Sequence, residues 1–183
     1  MFKGKPPGFY VNLNRYREPR VRHLPTRAPS DYNLGLIFGA FLGSGVVHLS
    51  TDNRNGVMVG SVRWYISRQN RDFTEKLAEA LEDVLGLNVY IYGREERREG
   101  KLHTILVSNR ALAYFFRDFL EDGKHLPEMF YVDNKDYLTG LYDGITESRR
   151  YKDIQTQMVK PDVRVNELYE GLIIHLGIDD QNE

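Results

Sequence analysis

Leu34-Gly35-Leu36-Ile37-Phe38-Gly39-Ala40-Phe41-Leu42-Gly43-Ser44-Gly45 decides the fold of this chain, because its pattern returns at Thr139-Gly140-Leu141-Tyr142-Asp143-Gly144-Ile145-Thr146-Glu147-Ser148-Arg149-Arg150. At an offset of 105 residues, Gly35, Gly39 and Gly43 fall on Gly140, Gly144 and Ser148. A small residue every fourth position makes one stripe down one helix face. Glycine costs about 1 kcal/mol at each interior helix site, so two such stripes require compensation. The expected compensation is a helix-helix seam without side chains, in which two backbones nearly touch.

Outward from the first stripe, Ser30-Asp31 can cap a helix that runs to about Gly43. Val46 to Thr51 and Gly56 to Arg68 read as a hairpin turned by Asp52-Asn53-Arg54-Asn55-Gly56. A helix follows from about Arg71 to Leu85, with Phe73, Leu77, Leu81, Val84 and Leu85 on its apolar stripe and Gly86 as its stop. Asn88 to Tyr92 and Lys101 to Ser108 form a second hairpin, and Arg110 to Leu120 a third helix. The second stripe lies in a helix from Asp136 to Ser148, followed by a short hairpin across residues 149–160 and a helix from Val163 to Leu176. Leu85-Gly86-Leu87 and Leu176-Gly177-Ile178 match at an offset of 91, so the second repeat is shorter. Nothing after it matches residues 88–120.

The paired stripes resemble the two LAGLIDADG helices of monomeric homing endonucleases. The resemblance spans about residues 31–179. It implies an α+β fold: one complete αββαββα repeat, a partial second repeat, and the two motif helices packed side by side. The division is a basic proline-rich arm (1–30), a first repeat (31–135) and a partial second repeat (136–183).

In that family each motif helix ends in an acid followed by glycine, and the two acids hold divalent metal at the scissile phosphates. Ser44 stands at the first acid position and Arg149 at the second. Magnesium takes hard oxygen ligands, commonly carboxylates, to stabilise attacking and leaving oxygens. A serine hydroxyl is a poor replacement, and an arginine repels the cation. Asp143 and Glu147 lie earlier on the second helix or on another face, where capping or solvent-facing roles account for them. A slipped register that makes Glu147 a ligand would break the glycine alignment. The expectation is a mobile-element nuclease fold without cleavage, with no catalytic residues, no metal site and no cofactor. Magnesium enters only if the chain is active through other ligands.

Composition sets further bounds. The 183 residues suit one compact domain plus an arm, and without cysteine there is neither a disulfide framework nor a thiolate metal site. The five histidines lack metal-ligand spacing. No stretch approaches a membrane span, and no signal-peptide core is present, which implies a soluble intracellular protein. The net charge of −1 hides an asymmetry. Residues 1–30 carry seven basic side chains against Glu18 alone, and five of the seven prolines. That argues for an extended arm that contacts phosphate, or else a solubilising tail or a strap packed through Phe9, Tyr10, Val11 and Tyr16.

Alternation places Arg63, Tyr65 and Ser67 on one strand face and Val62, Trp64 and Ile66 on the other. The first set is the expected nucleic-acid face. The turn Arg94-Glu95-Glu96-Arg97-Arg98-Glu99, with Lys101, offers Arg94, Arg97, Arg98 and Lys101 to bases or phosphates, or is a self-compensating charged loop. Arg149, Arg150 and Lys152 put positive charge where the family holds metal. Three functions follow: a cleavage-deficient binder of double-stranded DNA, an active nuclease with substitute ligands, or an assembly scaffold. RNA, as in the family's maturases, is an alternative partner. A second copy or another protein could complete the short half.

Overall fold

The computed structural model describes residues 2–4, 10–12, 24–25, 27–52, 56–93, 102–121, 126–149 and 163–178. Three short strands, β1 (Lys3–Gly4), β2 (Tyr10–Asn12) and β3 (Arg27–Pro29), precede α1 (Tyr32–Ser44). Then come β4 (Gly45–Thr51), β5 (Met58–Ser67), α2 (Arg71–Leu85), β6 (Tyr90–Tyr92), β7 (Leu102–Val107) and α3 (Arg110–Glu121). A 3-10 turn (Glu128–Tyr131), β8 (Val132–Asp133), α4 (Lys135–Arg149) and α5 (Val163–Leu176) complete the order. No helix among the described residues is long and apolar enough to cross a membrane.

Every residue from Leu34 to Gly43 is buried, so α1 is an interior helix and not an amphipathic one. The Asp31 carboxylate accepts from the Leu34 amide at 3.0 Å, which gives α1 the expected N-cap. Asn134 does the same for α4, accepting from the Asp136 amide at 3.1 Å. The Asn134 side-chain amide also donates to the Ser30 carbonyl at 2.8 Å, tying the start of one central helix to the start of the other.

The antiparallel sheet has the order β4-β5-β7-β6. Trp64 pairs with Gly45 on one side and Ile105 on the other, and Arg63 with Val46 and Leu106. Because strand side chains alternate, this register gives the sheet one apolar and one open face. Val62, Trp64, Ile66, Ile105 and Val107 are fully buried on the inner face. The Phe116 ring stands edge-on to Trp64 and packs on Phe41, linking α3, the sheet and α1. Phe38 lies among Phe115, Phe116, Phe130 and Tyr137.

The helix stops carry the repeat. Gly86 after α2 and Gly177 after α5 adopt φ values of 62° and 64°, the left-handed conformation that glycine accepts without a Cβ clash. Leu77 and Leu81 of α2 are fully buried, and so are Leu168 and Leu172, their counterparts at the offset of 91.

The described residues favour the strap among the readings of the arm. The arm is not unpacked where it is described: β2 pairs antiparallel with β3, and β1 pairs parallel with β8. Each central helix is thus entered from a short strand to which the arm adds a partner. Proline and charge suppress helix, but they do not prevent two- or three-residue ladders. The short β8 and the 3-10 turn before it went unread, since neither is long enough to show a period. The hairpin expected across 149–160 falls outside the described residues except Arg149, which ends α4.

Candidate nucleic-acid interface

The glycine stripes meet as expected. A Cβ on Gly35 would overlap the Tyr137 carbonyl oxygen, and one on Gly140 would overlap that of Tyr32. Gly39 faces the Leu141 carbonyl, and Gly144 faces that of Leu36. These contacts exchange under the offset of 105, so an approximate two-fold axis relates the helices. One turn further on, a Cβ on Gly43 would overlap the Ser148 hydroxyl. Ser148 is fully buried and donates to the Gly144 carbonyl at 2.6 Å. Gly35, Gly39, Gly43, Gly140, Gly144 and Ser148 are therefore all in the seam.

The contacts advance in the same direction along both helices, so α1 and α4 are parallel and end together, with Ser44 and Arg149 at equivalent positions. The Ser44 hydroxyl turns back toward the Ala40 carbonyl at 3.5 Å. Arg149 is half-buried and points to α5: its guanidinium donates to the Asn166 side-chain oxygen at 2.8 Å and lies 5.1 Å from the Tyr169 ring centre. Burial pulls its pKa below the ordinary arginine value, with Tyr169 acting in the opposite sense. Tyr169 also stacks on Tyr142 with a 5.4 Å separation, so α5 covers this flank of α4. The sequence placed Arg149 at the centre of a binding face. The structure turns it sideways, because α5 supplies an acceptor and an aromatic ring.

Asp143 and Glu147 of α4 are engaged elsewhere. Asp143 accepts from the Tyr32 hydroxyl at 2.6 Å, and Lys76 donates to the same hydroxyl at 2.7 Å. Glu147 accepts a hydrogen bond from the Asn70 side chain, which joins α4 to the turn before α2. Burial, the Asp143 hydrogen bond and the negative charges of Asp143 and Glu147 push the Tyr32 phenol well above its ordinary pKa. A hydroxyl and a guanidinium at the paired helix ends do not fit the carboxylate donor set that the resemblance implies for a divalent metal.

The open face of the sheet holds Val46, His48 and Ser50 from β4 and Val59, Ser61, Arg63 and Tyr65 from β5. Thr104 and Leu106 of β7, and Tyr90 and Tyr92 of β6, extend it. Arg63 and Tyr65 are on this face as expected and are partly exposed. Ser67 is not open: it is buried at the strand end and accepts from the Gln69 amide at 3.3 Å. Partial desolvation and the Arg63 guanidinium hold the His48 imidazole below its usual pKa, which leaves Arg63 as the main positive charge at these positions. Arg94, Arg97, Arg98, Lys101, Arg150 and Lys152 lie outside the described residues. Tyr90 and Tyr92 went unread, although their spacing of two in the strand Asn88 to Tyr92 already put them on one face.

No protein-family model and no curated protein sequence matches the chain. Solved structures do match. A variant of I-DmoI in complex with its target DNA in the presence of manganese superposes with a TM-score of 0.54 at 14% identity, over 81% of this chain and 77% of that one. A second variant, in complex with its target DNA nicked in one strand, gives 0.53 at 16%, over 83% of each chain. Mesophilic variants from the homing endonuclease I-DmoI give 0.51 at 12%, over 81% and 74%. With its two parallel small-residue helices flanked by an antiparallel sheet, the chain has the fold of the LAGLIDADG homing endonucleases.

Proposed function

We propose that this chain binds double-stranded DNA and does not cleave it. The observation that carries the reading is the pair of equivalent helix ends, Ser44 and Arg149, the second committed to Asn166 and Tyr169. Catalysis by paired metal ions requires oxygen ligands that neutralise charge at both attacking and leaving groups. A serine hydroxyl is a poor ligand of this kind, and an arginine committed to α5 supplies none. Binding needs no such ligands, because affinity for a duplex comes mainly from phosphate neutralisation and is independent of the cleavage chemistry. Structural neighbours that are complexes with target DNA support DNA as the partner. The open sheet face beside the paired helices, with Arg63 and Tyr65, is the surface assigned to it.

The test is binding to a labelled duplex over a salt series, with and without magnesium, with products resolved on a denaturing gel. Binding that weakens steeply with salt and leaves both strands intact is the expected result. Magnesium-dependent nicking overturns the reading of Ser44 and Arg149. Preference for structured RNA over duplex moves the chain to a maturase-like role. Failure to bind either polymer at low salt leaves the assembly scaffold.

A further inference from the structure

The outward stripe of α5 breaks the symmetry of the repeat. At the offset of 91, Val163, Glu167, Glu170 and Ile174 answer to Asp72, Lys76, Glu79 and Asp83 of α2. All eight are exposed. On α2 the stripe is charged throughout, which suits a face left in water. On α5 its two ends are apolar, and Val163 and Ile174 are 67% and 82% exposed. The core does not account for them, since Val165, Leu168 and Leu172 already bury the inner face of α5. None of the four residues belongs to the sheet face assigned to DNA.

The spacing describes what would cover them. Intervals of four, three and four residues are those of a coiled-coil seam, so the stripe suits a second helix laid along α5. Eleven residues separate Val163 from Ile174, roughly 16 Å of helix at 1.5 Å per residue. A cleft of about 510 Å³ opens on the same face, lined by Phe2, Glu167, Glu170, Gly171, Ile174 and His175. It can take a side chain from such a partner.

Charge selects the partner. His175 and Asp133 satisfy each other at 3.0 Å, but Glu167 and Glu170 make no ion pair or hydrogen bond with a described residue. A wholly apolar helix would strip water from two unpaired carboxylates, at a cost that exceeds the gain from covering a valine and an isoleucine. A second copy of the chain, laid along α5 in either direction, would bring carboxylates against carboxylates. Nucleic acid is repelled for the same reason. Lysine and arginine fit, because their apolar stems cover the seam while their charged ends reach the acids.

We infer that α5 is a docking helix for another protein, which presents a helix with apolar residues at the outer seam positions and lysine or arginine at the two central ones.

The test is fluorescence anisotropy with three labelled synthetic helices of about 21 residues, or three heptads. All have the same outer seam leucines except the third. The central seam residues are arginine in the first and glutamate in the second; the third is the first in scrambled order. The proteins are the unaltered chain, Val163→Asp/Ile174→Asp, which gives α5 the end residues of α2, and Glu167→Lys/Glu170→Lys. Glu79→Lys/Asp83→Lys makes the same change of charge on α2 and serves as the control. All the substituted side chains are exposed, so the variants fold.

The unaltered chain should bind the arginine helix about tenfold or more tighter than either of the others. The aspartate variant should lose that preference, the control should keep it, and the Glu167→Lys/Glu170→Lys variant should transfer it to the glutamate helix. Equal affinity for the arginine and scrambled helices reduces the attraction to net charge and overturns the inference. Undiminished binding by the aspartate variant overturns it too, as does failure of the unaltered chain to bind any of the three. A dimer of the unaltered chain on gel filtration that Ile174→Asp dissociates gives the face to a second copy and likewise overturns it.

Discussion

Gly35 and Gly140 make the same contact in opposite senses: each lies against the carbonyl of the residue that opens the other helix's seam, Tyr137 for Gly35 and Tyr32 for Gly140. A backbone carbonyl in a helix cannot move aside without breaking the ladder that holds it. The seam therefore has two kinds of tight position, those closed by backbone and the one at Gly43 closed by the Ser148 side chain. Alanine at Gly39 should destabilise the fold by about 2 kcal/mol or more, since overpacking outweighs the gain of roughly 1 kcal/mol in helix propensity. Alanine at Gly43 should be partly rescued by Ser148→Gly, with a coupling of about 1 kcal/mol in a double-mutant cycle measured by urea unfolding. No substitution on α4 should rescue Gly39→Ala. Rescue there by a side-chain change would mean that the backbone is not the obstacle.

Arg149 is expected to act on α5 before it acts on any ligand. Arg149→Ala removes the hydrogen bond to Asn166 and the contact with Tyr169. The combined cost should be about 1–2 kcal/mol. Amide hydrogen exchange should show the loss in α5, with α1 unchanged. A substitution of Arg149 and Arg150 to glutamate is therefore not a clean probe of binding, because its first half loosens a helix. Lysine at position 149 should recover less than half of the loss, since it lacks the planar fork that bonds Asn166 while lying on the ring.

Alkaline pH should unfold the chain through its tyrosines. Tyr137 is fully buried and donates to the Met129 carbonyl at 2.9 Å, and burial raises its pKa far above the ordinary value near 10. Tyr32 is raised as well, through burial and through Asp143. A group with a raised folded pKa contributes stability that is complete below its unfolded pKa and is lost as pH climbs toward the folded one. Stability should thus be flat to about pH 9 and fall above about pH 10, where the unfolded phenols ionise and the folded ones do not. Tyr137→Phe should lower stability at pH 8, by stranding the Met129 carbonyl, yet reduce the fall between pH 10 and 11. Urea unfolding across this range checks it; an unchanged slope in the variant would show that Tyr137 ionises freely in the fold.

The sequence was most informative where local chemistry and long-range contact coincide. The glycine stripes are expensive in a solitary helix, so their presence alone implied the seam, and the offset of 105 held to single contacts. Gly86 and Gly177 marked helix ends because only the left-handed conformation requires glycine there. What escaped was set by partners distant in sequence. Arg149 turns toward Asn166 and Tyr169, 17 and 20 residues later, and no pattern around position 149 records that choice. Ser67 belongs by alternation to the open face, but the turn after β5 recruits its hydroxyl. The pairing of β1 with β8 links two-residue strands across most of the chain, too short for any period to announce.

That last pairing leads to a prediction about the arm. Its basic residues suggest phosphate contact, but its described segments join β3 and β8, at the N-terminal ends of α1 and α4. Ser44 is 12 residues further along α1, which at 1.5 Å per residue is roughly 18 Å away. Phe2 packs there against His175, with ring centres 4.8 Å apart, and against Tyr131 at 6.3 Å. Removing residues 1–12 should therefore lower Tm and expose the β3 and β8 amides to exchange, while the salt dependence of duplex binding stays as it was. If Lys3 and Lys5 neutralised two phosphates instead, the slope of log K against log salt would fall by about 1.8 on their loss. A change of that size with an unaltered Tm would make this stretch a ligand-binding arm; the reverse pattern makes it a strap that holds the two helix entries together.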